Sequence, residues 1–268
     1  MIRGVYAMVL LDLKRAWVDR VRLVFGLAQP LLYLFVLGAG LGADSRMAVS
    51  YRAFIFPGVI GLNLLFSATF AAIAIVFDRQ IGFLKAVFVA PIPRSAVALG
   101  KIASGGLQSF CQALLILPFA PLVGVRLGPL PLLELVVAML AASLVFSAMG
   151  VAVAARFTST TVFPIVSNAV LLPMFFLSGA LYPLQVAPHW MRIAALFDPV
   201  TYAIDLMRGA ILPTRPAPPI TRFLCPPAFS MAALAVFIGI LAWAAIRIFS
   251  RGEDDSSLGA SRFVWRRR

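Results

Sequence analysis

The sequence predicts an all-α polytopic membrane protein with six transmembrane helices, and three observations lead to that class. Hydrophobic residues make up 62% of the 268 residues and charged residues only 12%, whereas a water-soluble domain has about 25% charged residues. Apolar runs recur along the chain, each of about 20 residues, the length that a helix needs to cross a bilayer. Short stretches rich in charge, glycine or proline separate these runs. We also expect an N-terminal amphipathic interfacial helix, a short cytoplasmic helix and short re-entrant helices before the last span.

Residues 1–22 are amphipathic rather than continuously apolar. Their apolar residues follow helical spacing, and their charged residues form the other side. Seven charges disfavour a spanning helix, so we expect a helix lying in the membrane interface with Trp17 at the level of the headgroups. The alternative is a partly disordered tail. The charged residues are Arg3, Asp12, Lys14, Arg15, Asp19, Arg20 and Arg22.

Six apolar runs within residues 23–247 form the predicted membrane domain. A proline at position 30 is expected to kink the first span. After the sixth span, residues 248–268 form a polar, basic tail that we expect in the cytoplasm. The predicted spans are 23–42, 53–77, 97–121, 132–155, 162–182 and 228–247.

Polar residues inside the second and fifth spans are candidates for lining a transport pathway. In the second span, hydrogen bonds between helices are the alternative to substrate contact. The fifth span holds two prolines, and locally broken helices are tolerated where they face protein or a cavity. Glu134, at the start of the fourth span, is either functional, solvated or a helix cap. The candidate pathway residues are Asn63, Ser67, Ser167, Asn168, Pro173 and Ser178.

The stretch 78–101 carries five charged residues between two apolar runs. Its first part predicts a short amphipathic helix, because Ile81, Leu84 and Phe88 share one face. Asp78 is the expected cap of that helix, and the prolines at 91 and 93 would end it. Such a helix is either a solvated loop or a docking site for a soluble partner.

The long stretch 183–227 holds no complete span. The dipeptide Asp198-Pro199 predicts a helix start, with aspartate as the cap and proline at the first helical position. Before it, Trp190, Ile193 and Phe197 indicate a short amphipathic turn. We therefore expect two short interfacial or re-entrant helices within 183–212.

The distribution of basic residues predicts the orientation. Of the 23 lysines and arginines, 16 fall in the N-terminal segment, the 78–101 loop, the 156–161 loop and the tail. The positive-inside rule places those segments, and so both termini, in the cytoplasm. The net charge of +13 does not indicate nucleic-acid binding, because the basic residues are spread over loops instead of covering one folded face.

Motifs for chemistry are missing from the sequence. There is no phosphate-binding loop of the G-x-x-x-x-G-K-[ST] type, and the single histidine has no cysteine or second histidine beside it as a metal ligand. We expect no metal site, no bound cofactor and no enzymatic activity in this chain. Uphill transport would then draw its energy from a separate subunit.

Three stretches resemble the membrane permeases of ABC-2 type ATP-binding-cassette exporters. They are DRQIGFLKAVFVAPIPRSAVALGK, FFLSGALYPLQVAPHWMRIAALFDPVTYAIDLMRG, and the amphipathic start leading into QPLLYLFVLGAGLG. Within that family the likeness is strongest to daunorubicin-exporter-like drug-resistance permeases, with nodulation lipo-oligosaccharide permeases next.

The resemblance implies a half-transporter in the bacterial plasma membrane. Two copies, most simply a homodimer, would pair with two cytoplasmic ATPase subunits that bind the ATP and magnesium. By position, 78–94 would be the coupling segment, with Gly82, Phe83, Leu84 and Lys85 at the ATPase cleft, and 183–212 would hold the re-entrant helices. The residues assigned to coupling are Asp78, Arg79, Ile81, Gly82, Phe83, Leu84, Lys85, Phe88, Pro91 and Arg94.

Two functions of different classes follow from these patterns. The first is the permease of an exporter that moves an amphipathic drug, lipid or glycolipid-like molecule out of the cytoplasm. The second is a non-transporting membrane scaffold that docks a cytoplasmic partner through the same helix. A gene for an ATPase next to this one would favour the first.

Overall fold

The computed structural model describes residues 2–18, 20–40, 51–82, 93–125, 127–212 and 226–251. Within these ranges the regular structure is helical and contains no strand. Two 3₁₀ turns, Leu117–Val123 and Leu184–Val186, join helices. The α-helices are α1 (Ile2–Val18), α2 (Arg20–Gly40), α3 (Tyr51–Ala71), α4 (Ile73–Gln80), α5 (Arg94–Leu114), α6 (Pro129–Ala154), α7 (Val162–Leu177), α8 (His189–Leu196), α9 (Pro199–Ile211) and α10 (Pro227–Arg251).

Helix α6 is the centre of the bundle, packing against α3, α5, α9 and α10. Small residues bring its backbone close to its neighbours. A Cβ placed on Gly150 would lie 2.7 Å from the Cα atom of Thr69 in α3, and one on Gly105 in α5 would lie 2.6 Å from the hydroxyl of Ser147. Close backbone approach through small residues is how helices associate where water supplies no driving force.

The helices alternate in direction across the bundle, as contacts at its two ends demonstrate. At one end Arg15 of α1 reaches Asp78 of α4, and Phe70 packs against Phe163 at the start of α7. At the other end, Phe35 of α2 packs against Phe119. We call the first the charged end and the second the far end.

Four helical segments are long and apolar enough to cross a membrane: Tyr51–Gln80, Ser95–Val123, Pro129–Ala154 and Pro227–Ile248. They correspond to the predicted spans two, three, four and six. The segments corresponding to spans one and five, Gly26–Val36 and Val162–Leu177, are apolar but shorter. The membrane-spanning class is therefore supported, while the count of six spans stays a prediction.

The structure shortens one predicted span and excludes one of the three roles considered for Glu134. The fifth run was expected to extend to 182, but α7 ends at Leu177 and the chain turns at Gly179, whose φ is +73°. Glu134 does not cap α6, because Gly128 occupies the cap position and no side chain bonds there. The two short helices expected before the last span are present as α8 and α9.

Candidate coupling site and polar cavity

A buried ionic cluster lies at the charged end, where α1, α4 and α5 meet. The Nζ atom of Lys101 lies 2.9 Å from Asp78 Oδ2 and 3.0 Å from Asp12 Oδ1. Arg15 Nη1 lies 3.2 Å from Asp78 Oδ1, and the Ser104 hydroxyl donates to Asp12 Oδ2 at 2.9 Å. We call these five residues the ionic cluster.

Helical spacing explains how the cluster forms. Asp12 and Arg15 are three residues apart on α1, and Lys101 and Ser104 are three apart on α5, so each pair shares one helix face. Beside these pairs the two helix faces pack through apolar side chains, since Met8 of α1 and Val97 and Ile102 of α5 belong to one buried group. The two helices thus present complementary polar patches inside an otherwise apolar contact.

Burial makes the ionic cluster energetically important. The exposed fraction of the side chain is 3% for Lys101, 5% for Asp78 and 13% for Asp12, whereas Arg15 is 46% exposed. Ions removed from water need a partner close by, and the loss of one partner leaves a buried charge uncompensated. Lys101 is the central partner because it bridges two carboxylates.

Asp78 does not start a helix, which corrects the expected capping role. It lies in the last turn of α4, a helix that ends at Gln80, and Gly82 follows with a φ of +74°. A helix cannot continue through that left-handed residue. Ile81 lies past the end of α4 and is 73% exposed, while Leu84 and Phe88 lie outside the described residues, so the shared apolar face stays a prediction.

Arg79 anchors the end of α4 to the end of α6. Its Nη1 donates to the carbonyls of Ala155 and Phe157, both at 3.2 Å. Ala155 is the C-cap of α6, where the helix leaves carbonyls unpaired. Gln80 Nε2 donates to Thr158 O at 3.0 Å. The ionic cluster is therefore joined to the connection between α6 and α7 as well.

The remaining residues assigned to coupling fall largely outside the described part of the chain. The backbone of Arg94 opens α5, but its side chain is outside the described residues. Phe83, Leu84, Lys85, Phe88 and Pro91 lie in 83–92, which is also outside them. Their roles at an ATPase cleft stay predictions.

A polar cavity of about 170 Å³ lies between α2, α3 and α5 and brings together two of the candidate pathway residues, Asn63 and Ser67. Asn63 Nδ2 donates to Gly26 O at 3.1 Å, and the Ser67 hydroxyl donates to Gln112 Oε1 at 2.6 Å. Asn63 and Ser67 thus both bond to a neighbouring helix, which was the alternative to substrate contact, and their pathway role stays a prediction. The cavity is lined by Gly26, Gln29, Pro30, Leu62, Asn63, Phe66, Ser67, Phe70 and Gln112.

The four candidate pathway residues of α7 and its end do not line this cavity. Ser167 is buried and Asn168 and Pro173 are exposed on α7. Ser178 is buried, and its hydroxyl donates to Phe175 O at 2.7 Å. The structure therefore does not gather the six candidates at one place, and a pathway role for each stays a prediction.

At the far end, Asp198 caps α9 as the sequence predicts, with Oδ1 accepting from the backbone N–H of Val200 at 2.9 Å. Its other carboxylate oxygen is buried without a partner among the described residues. Burial raises the pKa of Asp198 to about 7, although the Val200 hydrogen bond opposes the shift. Asp198 lies outside the four candidate spans.

Arg208 was not singled out from the sequence, yet it joins three elements at the far end. Its Nη2 donates to Gly179 O at 2.9 Å, and its guanidinium carbon lies 4.1 Å from the centre of the Phe54 ring. The only sequence feature that could have identified Arg208 is that it is a charged residue in a largely apolar helix. Within the described ranges, no three His, Cys, Asp or Glu side chains are grouped closely enough to hold a metal ion.

The long apolar helices are those of a membrane protein, and comparison with known families gives its class. The chain belongs to the ABC-2 type transporter family, whose model matches residues 3–212. Members are membrane subunits of transporters that generally work with an ATP-binding-cassette ATPase.

Similar proteins agree with this membership. Nodulation protein J of Rhizobium leguminosarum bv. trifolii is 33% identical over 195 residues, covering 69% of this chain and 72% of the relative. Nodulation protein J of Neorhizobium galegae is 30% identical, covering 75% and 78%. The putative transport permease ycf38 of Cyanophora paradoxa is 28% identical, covering 70% and 67%.

Proposed function

We propose that this chain is the permease subunit of an ATP-binding-cassette exporter, moving an amphipathic drug, lipid or glycolipid-like molecule out of the cytoplasm. A separate ATPase subunit hydrolyses the ATP. Two copies of the chain pair in the bacterial plasma membrane, each with six spans and with both termini in the cytoplasm. Family membership supports the transport class, and the resemblance to nodulation lipo-oligosaccharide permeases favours a glycolipid-like cargo.

The observation that carries the coupling part of the proposal is the ion pair between Asp78 and Lys101. Asp78 lies four residues before Gly82, and Lys101 lies in the second turn of α5, so the 2.9 Å contact joins the two stems of the coupling segment 78–94. Asp12 and Arg15 add the amphipathic α1 to the same junction. A displacement of the coupling segment would therefore move α1, α4 and α5 together.

The polar cavity supplies the other part of the mechanism. It touches α3 and α5 at Asn63, Ser67 and Gln112, and these helices lead to the coupling segment from its two sides. A rigid shift of their cytoplasmic ends would change the separation of the cavity walls. Packed helices change between discrete arrangements instead of deforming smoothly, so ATP binding by the partner would alternate the cavity between two shapes.

The test is capture of the tagged permease from detergent-solubilised native membranes, with identification of the proteins that accompany it. We expect an ATP-binding-cassette ATPase to accompany the wild type and to be lost from the variant F83D/L84D. The matched control is V186D/F197D, which places two aspartates on apolar side chains that are 72% and 78% exposed at the far end. That control should keep the ATPase.

Each outcome decides between the two functions. If no ATPase accompanies the wild type while a known transporter in the same membranes keeps its own ATPase, the exporter hypothesis fails and the scaffold hypothesis replaces it. If both double variants lose the ATPase equally, the loss is a general effect of added charge. The coupling segment would then not be the docking site.

A further inference from the structure

A second cavity, at the far end, is open on one side and lies between α6, α9 and α10. Its volume is about 390 Å³, and its walls are apolar except for Glu134. None of the three residues that bond across the polar cavity, Asn63, Ser67 or Gln112, lines this groove. The groove is therefore separate from the site considered for transport, and we call it the far-end groove.

Glu134 is the only charged residue in α6. Its side chain is exposed, and it has no hydrogen bond or ion pair with any residue that the structure describes. An acidic residue within an apolar span is costly unless a partner or water compensates it, which makes such a residue a functional candidate. The groove thus presents one carboxylate, exposed and not bonded to the described residues, among apolar walls.

The depth of the carboxylate fits the headgroup region of a bilayer. Glu134 is the sixth residue of α6, about 8 Å along the axis from its start, and helical side chains lean back toward the N-terminus. Met231 is near the start of α10, and Val137 lies one turn deeper on α6. A carboxylate at the mouth with apolar walls below matches an amphiphile that has a cationic head.

The groove opens onto surfaces that would face lipid. Leu133 is 59% exposed, Val137 45% and Met231 38%, and all three belong to candidate spans. We propose that the far-end groove holds a membrane lipid whose headgroup carries a protonated primary amine. The ammonium group donates to the Glu134 carboxylate, and an acyl chain lies along Val137, Leu206 and Met231.

The probe is phosphatidylethanolamine, compared with phosphatidylglycerol, added to the detergent-purified permease and measured as retained lipid by native mass spectrometry. The wild type should retain the amine lipid about tenfold more than the anionic lipid, because charge-assisted hydrogen bonds are the stronger kind. E134Q should lose that preference, and M231W should reduce retention by filling the groove. L140W, a large side chain on α6 outside the groove, should behave as the wild type.

Three results would overturn the proposal. One is an E134Q variant that keeps the tenfold preference while L140W and E134Q fold equally well. Another is a wild type that retains both lipids equally. The stretch 213–225, outside the described residues, contains Arg215 and Arg222. The third result is amine-lipid binding that appears only after both are changed to Gln, because the chain's own arginines would then be the partners of Glu134. If M231W fails to fold, the comparison of E134Q with L140W decides alone.

Discussion

Replacement of Lys101 by methionine tests the energetic importance of the ionic cluster. The substitution keeps a long, unbranched side chain but removes the cation that lies 2.9 Å from Asp78 and 3.0 Å from Asp12. Asp12 then keeps the Ser104 hydroxyl, and Asp78 keeps Arg15, which is 46% exposed and so partly solvated. Two buried carboxylates face each other without their shared partner.

The expected loss of stability follows from that geometry. Removing one partner from a buried ion pair costs about 3–5 kcal/mol, and the lower value applies here because Arg15 still compensates Asp78. A loss of about 3 kcal/mol lowers the folding equilibrium constant by roughly two orders of magnitude. The control is K14M on the exposed side of α1, where we expect a change within about 0.5 kcal/mol.

The assay is reversible unfolding in mixed detergent, followed by tryptophan fluorescence. The variant D12N/D78N/K101M should recover most of the stability that K101M loses, since it removes the stranded charges along with the lysine. A loss below about 1 kcal/mol for K101M, or no recovery in the triple variant, would refute the reasoning. The first result would mean that the cluster is solvated, and the second that stranded charges do not cause the loss of stability.

Two further predictions concern packing and pH. We expect G150A to lower the free energy of unfolding by about 1–3 kcal/mol through overpacking, because the added Cβ would lie 2.7 Å from Thr69 Cα. The control G239A, whose added Cβ has nothing within 4 Å, should be neutral or slightly stabilising. Equal melting temperatures for the two variants would contradict this prediction. Burial raises the pKa of Asp198 from 3.8 to about 7, so the folded state binds the extra proton and stability falls, by at most about 4 kcal/mol, as pH rises from about 4 to 7. D198N keeps a capping oxygen for Val200 N–H and should lose this pH dependence. If the melting temperatures of the wild type and D198N change in parallel between pH 4 and pH 8, Asp198 is not the source of the pH dependence.

Local patterns in the sequence predicted the helical class and four long apolar helices, since each long apolar run has to satisfy its own backbone hydrogen bonds in a membrane. The start of α9 was also predictable, because Asp198-Pro199 acts within one turn. Both signals depend only on neighbouring residues, so no knowledge of the tertiary structure was needed.

Partners distant in sequence were beyond such reasoning. Asp78 was assigned to a helix start because aspartate is a common cap, yet its partners are Lys101 and Arg15, on two other helices. Arg208 was missed for the same reason, because its contacts with Phe54 and the Gly179 carbonyl depend on how helices cross. Periodicity identifies a helix face but does not identify the face that it meets.

The break at Ala72 has a consequence for how force passes along the bundle. Helices α3 and α4 together form one apolar segment of 30 residues, fixed at the far end by the bond from Tyr51 to Leu181 O and at the charged end by Asp78. At Ala72 the backbone N–H bonds three residues back, to Thr69 O. Since this bond interrupts the regular helical hydrogen bonding, we expect α3 and α4 to bend relative to each other at Ala72, while the continuous backbone still links Tyr51 at the far end to Asp78 at the charged end.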